Sequence, residues 1–292
     1  MNILLRKRLK HMSPAAKAAI TFVIFSIFAL MLPVKDYNLD VASILGATSI
    51  FYSILLGFYI SAAMSNLSRL KTLTATETGA LVAIHRIVAL SLPERVKSVE
   101  DSIDKYLIKR FDYEISDYTE PTTNEFFAIF DVLKGADSKS DGQGAAVNYV
   151  AEAMYYIAQA RREITIVGAK ILTKASWMVL ISLSVIVVFS LFVMRDGSLE
   201  SNIFTVLLST SAIMALFILQ DVDGNRLGEE EFSIGTYQDV FSAIGRLHYY
   251  PNIYLEAGRF MPTVKEYRIG DSGDIKVVVN KKFRKPKENS SL

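Results

Sequence analysis

Residues 177–194, WMVLISLSVIVVFSLFVM, carry no charge and decide the fold. Crossing the hydrocarbon core of a bilayer takes about 20 predominantly apolar residues, with roughly 17 to 25 as the working range. The twelve Val, Leu, Ile and Phe of this run each favour insertion by roughly 0.3 to 0.6 kcal/mol near the bilayer centre. No charged residue, at a cost of about 2.5 to 3.5 kcal/mol, opposes them. Residues 202–220 form a second such run, interrupted by Ser209, Thr210 and Ser211. Hydroxyls of this kind bond their own helix or a neighbouring one, so this run faces protein more than lipid. Residues 18–34 and 41–68 are also free of charge, the latter apolar to about Met64. Four such runs exceed what the buried core of a soluble domain requires. Arg6, Lys7, Arg8 and Lys10 precede the first run in the manner of a signal peptide. The run is long for that role, however, and no small-x-small cleavage site comes before Lys35, so it reads as an uncleaved anchor.

The connections at residues 35–40 and 195–201 are too short for anything but tight turns, which pairs the four runs as two hairpins. Positive charge then assigns the sides. Arg6, Lys7, Arg8, Lys10, Lys17, Arg69, Lys71, Arg161, Arg162, Lys170, Lys174 and Arg226 fall on one side, with only Lys35 and Arg195 on the other. Both termini and the long central segment are expected in the cytoplasm. The expected class is an all-α integral membrane protein with four transmembrane helices in two hairpins, a helical cytoplasmic domain and a small C-terminal β-hairpin. Its parts are residues 1–64, the N-terminal segment and first hairpin; 65–173, the cytoplasmic domain; 174–220, the second hairpin; and 221–292, a helix, a β-hairpin and a basic tail.

Within the central segment the second run continues as a helix past Arg69 and Lys71, with Leu81, Ile84, Val88 and Leu92 on one stripe. Pro93 ends or redirects it. Val96, Val99, Ile103 and Tyr106 mark another amphipathic helix, and a short one is expected at 124–133 after the turn at Pro121. GADSKSDGQG at 135–144 reads as a polar loop. Val150, Met154, Ile157 and Ile164 mark a long helix leading into the third span. After the fourth span a helix is expected to about His248, stopped by Pro251. Strands at 264–269 and 275–279 flank GDSGD as a hairpin.

The composition excludes several functions. A net charge of +2 and the lack of a basic, aromatic-interleaved stripe argue against nucleic acid. Without cysteine there is no disulfide, thiolate nucleophile or Cys-based zinc site. His11, His85 and His248 lie in separate segments, and no phosphate loop or nucleophile elbow is present. No ionisable side chain lies in the core of a span, which disfavours a proton-coupled transporter. The chain is expected to be no enzyme and to need no cofactor.

Two features invite a functional reading. Ile50, Ile54 and Phe58 share one face of the second span; turned inward in an oligomer, they would form apolar rings that gate by dewetting. Turned outward, they would be ordinary lipid or helix contacts. Below the fourth span, Asp221, Asp223, Glu229, Glu230 and Glu231 cluster. Asp221, Asp223 and Asn225 fit the first three ligand positions of an EF-hand, but Arg226 and Phe232 stand where its Gly and its twelfth-position Glu belong, so it is not one. The cluster reads either as caps for a helix starting near Glu229 or as a cation or regulatory site, with Ca²⁺ as the ion.

The order of parts resembles the bestrophin-like membrane proteins of bacteria. The resemblance rests on LLGFYI at 55–60 running into SNLSR at 65–69, on Asp221-Val-Asp223 with Glu229–Glu231, and on HYYP at 248–251. It covers roughly residues 41–251. It implies a homo-oligomeric, anion-conducting channel whose second span lines the pore with an apolar triplet similar to Ile50, Ile54 and Phe58. It also implies an acidic clasp after the fourth span, binding Ca²⁺ in animal members, from whose unbroken acidic run Asp221–Glu231 departs. The alternative is a non-conducting adaptor or sensor whose cytoplasmic domain binds a protein partner, since about 180 residues lie outside the spans.

Overall fold

The computed structural model describes residues 14–34, 40–134, 141–224, 234–252, 255, 262–271 and 274–279. The N-terminal basic cluster, Lys35, most of the polar loop, Glu229, Glu230 and Glu231, and the basic tail lie outside the described residues. The order is α1 (Pro14–Met31), α2 (Val41–Ser91), a 3₁₀ turn (Pro93–Arg95), α3 (Val96–Arg110), α4 (Thr123–Asp131) and α5 (Asp141–Val167). There follow α6 (Lys174–Val193), α7 (Leu199–Asp223), α8 (Thr236–Ala243), β1 (Tyr249–Pro251), β2 (Glu266–Asp271) and β3 (Asp274–Val279).

Helix α2 has 51 residues and so runs about 77 Å at about 1.5 Å per residue. Asp40 opens it, its carboxylate accepting from the amide (3.1 Å) and hydroxyl (2.5 Å) of Ser43. It contains no proline and stops two residues before Pro93, as the sequence pattern requires.

Two compact units share that helix. One comprises Met1–Leu67 with Lys170–Leu227, the other Ser68–Ala169 with Gly228–Leu292. In the first, α7 packs along α1 and α6, and its polarity is inverted relative to a soluble domain. Ser184, Ser190, Thr205 and Ser209 are buried, while Phe28, Val185, Phe189 and Phe204 are exposed. Small hydroxylated residues between helices and large apolar ones outside are the arrangement that lipid selects. Helices α2, α6 and α7 are long and apolar enough to cross a membrane, whereas the apolar part of α1, Ala15–Met31, is shorter.

The second unit is an ordinary aqueous helical core. Leu81, Ile84, Val99, Ile103, Ile157 and Ile164 are fully buried, on the stripes expected for α2, α3 and α5. Two elements differ from expectation. Helix α5 does not run into α6: it ends at Val167, and the Gly168 amide donates to Ile164 O (2.7 Å). A Cβ at Gly168 would lie 2.7 Å from that same oxygen, so glycine is required for the tight exit. Thr173 then starts α6 afresh, its hydroxyl accepting from the Ser176 amide (3.1 Å). The residues 248–251, expected to finish a helix, instead contain β1, which pairs in parallel with β2 and makes the hairpin a three-stranded sheet, β1-β2-β3. Gln238 captures β1, exchanging hydrogen bonds with Tyr249 through its O (2.7 Å) and N (3.0 Å). Gly270 permits the hairpin: its φ is +153°, and a Cβ there would lie 2.0 Å from Asp274 O.

Candidate functional site

With 100° between successive residues, positions four apart on α2 stay within one face. Ile50, Ile54 and Phe58 are 61%, 64% and 65% exposed, although each is large and apolar. Tyr52, Leu56 and Ala63 on the opposite side are buried, and the Tyr52 hydroxyl donates to Ala212 O of α7 (2.6 Å). Helix α2 is thereby fixed in rotation within the first unit, with the triplet turned away from its partners. A Cβ placed on Gly57 meets nothing within 4 Å, so this flank is open as well. The outward face then changes character, continuing as the exposed hydroxyls of Ser61 and Ser65.

Helix α7 runs through Asp221 and Asp223, placing both in its last turn. Carboxylates there oppose the helix dipole, and each has a partner that offsets this. Lys17, 7% exposed, donates to both Asp221 oxygens (2.9 and 2.7 Å) and lies 5.4 Å from the Phe217 ring centre. Asp223 Oδ1 accepts from the amides of Ile171 and Leu172 (2.9 and 3.1 Å), the backbone freed by the break before α6. Among the described residues no group of three or more His, Asp or Glu is arranged to hold a metal. Glu229, Glu230 and Glu231 lie outside the described residues.

Arg195 is a buried structural cation. It is 4% exposed and closes two helix ends, donating to Ala29 O (2.6 Å) and Leu32 O (3.2 Å) of the α1 exit and to Phe192 O (3.1 Å) of α6. Carbonyls at helix C-termini have no intrahelical donors, and an arginine fork supplies several at once.

A buried ionic cluster in the second unit escaped the sequence reading. Glu77 of α2 is wholly buried. Its carboxylate accepts from the hydroxyls of Tyr106, Tyr118 (3.0 Å) and Tyr237 (2.6 Å). Arg110, also buried, brings Nε to 3.9 Å from Glu77, with its guanidinium 4.4 Å from the Tyr118 ring centre and 3.9 Å from that of Tyr237. Burial, then the charge of Glu77, pushes the phenols of Tyr106 and Tyr118 well above their ordinary 10.0. Burial also raises Tyr237, with Arg110 pulling the other way. All three remain neutral donors to a carboxylate. The signal was present: Glu77 falls on the stripe Leu70, Leu81, Ile84, Val88, and a lone acid on an apolar stripe demands a buried partner. Further ion pairs hold α3, among them Arg268 to Asp104 (2.8 and 2.6 Å), Arg246 to Asp101 (2.5 Å) and Lys109 to Glu125 (2.7 Å).

An inverted apolar unit and an ionically cemented aqueous unit in one chain define a membrane protein with a large extramembrane domain. Residues 11–224 match the model of the Bestrophin-like domain, and the chain belongs to that family. Its fold is similar to that of a bacterial bestrophin homolog from Klebsiella pneumoniae, with a TM-score of 0.55 at 16% identity over 80% of this chain and 99% of that one. A mutant of the same homolog gives 0.56 at 14% identity, with the same coverage. A structure described as a membrane protein gives 0.57 at 16% identity, covering 80% of this chain and all of that one. Comparison with curated proteins gives no match.

Proposed function

We propose that the chain is one subunit of a homo-oligomeric ion channel in which α2 lines the pore and Ile50, Ile54 and Phe58 form its apolar constriction. The observation that carries this reading is the rotation of α2: its packed side is satisfied by Tyr52 and Leu56, while three large apolar residues on one face stand exposed. In a closed ring of copies that face would meet its equivalents around an axis. Three apolar rings opening onto the hydroxyls of Ser61 and Ser65 are suited to gating by dewetting. Helix α1, extended by Leu32–Val34, serves as a fourth span, so that α1–α2 and α6–α7 make two hairpins with both termini in the cytoplasm of a bacterial inner membrane. No catalytic step and no cofactor is assigned. Ca²⁺ control through Asp221 and Asp223 is disfavoured, because Lys17 and two backbone amides already engage their carboxylates. Anion conduction is the selectivity that family resemblance favours.

A non-conducting adaptor is the second reading. The exposed Tyr149, Tyr155 and Tyr156 of α5 favour it as a docking face for a cytoplasmic protein. Ion flux through the purified protein in liposomes separates the two. Flux that rises about tenfold or more in Ile54→Ala or Phe58→Ala, as widening a dewetted constriction requires, supports the pore. Well-folded protein that passes no ions in either form, across voltage and with or without Ca²⁺, removes the channel reading.

A further inference from the structure

The second unit contains a cleft of about 660 Å³ with three chemically distinct walls. The turn before α4 contributes Asp117 and Glu120, both exposed. Helix α4 contributes Phe126 and Phe127, and α5 contributes Arg161, Arg162 and Ile166. The walls are tied together. Arg161 Nη2 donates to Thr119 O (2.6 Å) and Thr122 Oγ1 (3.0 Å), and the hydroxyls of Thr119 and Thr165 meet at 2.5 Å. These hydrogen bonds tie the α5 wall to the turn before α4.

Arg161 is the unusual member. It is 2% exposed, with its guanidinium 4.2 Å from the Phe126 ring centre, and it makes no ion pair among the described residues. Its Nη1 is buried without a hydrogen-bond partner. Arg110, the second unit's other described buried arginine, has Glu77 at 3.9 Å; Arg161 instead lies 5.1 and 5.8 Å from the ring centres of Tyr106 and Tyr118. A buried cation without a direct ion-pair partner is costly, and because Arg161 is part of the cleft's lining an anionic group in the cleft offsets that cost. Exposed Arg162 supplies a second cation on the same wall. The acids of the facing turn, Asp117 and Glu120, disfavour a multiply charged anion such as a nucleotide but complement an ammonium group.

We propose that this cleft binds a zwitterion with an apolar body, of the α-amino acid class. Its carboxylate faces Arg161 and Arg162, its ammonium faces Asp117 and Glu120, and its side chain lies against Phe126, Phe127 and Ile166. This site is independent of the pore reading, and its test does not use conduction. The full-length detergent-solubilised protein is titrated calorimetrically with L-phenylalanine, 3-phenylpropanoate (carboxylate without ammonium) and phenethylamine (ammonium without carboxylate). L-Phenylalanine should bind tightest. Arg162→Ala, which removes an exposed side chain and leaves the Arg161 ties in place, should weaken L-phenylalanine and 3-phenylpropanoate about tenfold or more, the effect of losing a charged hydrogen bond. Glu120→Gln should weaken L-phenylalanine and leave 3-phenylpropanoate unchanged. The proposal is overturned if none of the three binds. It is also overturned if 3-phenylpropanoate equals L-phenylalanine, if both variants bind as the wild type does, or if Ile166→Cys and Phe127→Cys cross-link neighbouring subunits, showing the cleft filled by a second copy.

Discussion

Glu77→Gln should unfold the second unit at a markedly lower temperature, although the substitution keeps the side chain's shape. Three tyrosine hydroxyls donate to the Glu77 carboxylate. Hydrogen bonds to a charged group contribute roughly 1.5 to 3 kcal/mol each, against roughly 0.5 to 1.5 for neutral pairs. Exchanging carboxylate for amide therefore costs on the order of 1 kcal/mol per bond. The change also removes the counter-charge 3.9 Å from buried Arg110, and breaking a buried ion pair from one side costs about 3 to 5 kcal/mol. These costs overlap, and a total near 4 kcal/mol corresponds to a fall in Tm of about 10 °C for a unit of this size. Calorimetry on the solubilised protein reads it, with hydrogen exchange at residues 70–92 reporting where the loss falls. Arg110→Met in the Glu77→Gln background should recover part of the loss, because the unpaired charge then disappears. A fall in Tm below about 3 °C for Glu77→Gln, or strict additivity in the double variant, would refute the reasoning.

Other consequences follow from single contacts. Asp223→Ala leaves the Ile171 and Leu172 amides without their acceptor; it should cost about 1 to 3 kcal/mol and speed hydrogen exchange at those two amides. Arg195→Lys keeps the charge but loses the fork that reaches Ala29, Leu32 and Phe192; a loss of about 2 kcal/mol should appear in the melt. His248 has its pKa pushed below the ordinary 6.5 by burial, with Asp239 opposing and Arg268 assisting. The neutral ring is thus the folded form, and its contribution is present above pH 6.5 and lost as pH falls through the lowered value. His248→Gln should flatten the acid side of the stability–pH curve measured by thermal melts.

The three helices long and apolar enough to cross a membrane and the helical stripes were legible because each depends on one periodicity or one length. Ile84, Val88, Ile103 and Ile157 are buried where the 3.6-residue pattern places them. The sheet was half legible. Its two later strands alternate around a glycine turn, but β1 is three residues long and exists only because β2 and Gln238 offer it partners. The break between α5 and α6 was hidden for a related reason. Residues 164–176 contain no proline; the chain leaves the helix at Gly168, and the Asp223 carboxylate of α7 takes up the amides of Ile171 and Leu172 beyond it. Such partners are remote in sequence, and propensity does not register them.

The candidate residues divide along the same line. The exposure of Ile50, Ile54 and Phe58 follows from α2 alone once Tyr52 and Leu56 are known to pack, so spacing was enough to group them. The acids could not be resolved locally. At a helix N-terminus a carboxylate is favourable without further help, whereas in the last turn of a helix it is unfavourable and needs a donor from elsewhere. Helix α7 runs on through Asp223, which puts Asp221 and Asp223 in the second situation. The cation that answers Asp221 comes from Lys17, 204 residues away, and the donors that answer Asp223 come from the break before α6. The same two residues that suggested a cation site from composition therefore anchor the first turn of α1 and the entry of α6. A metal arriving there would first have to displace a buried lysine and two amides.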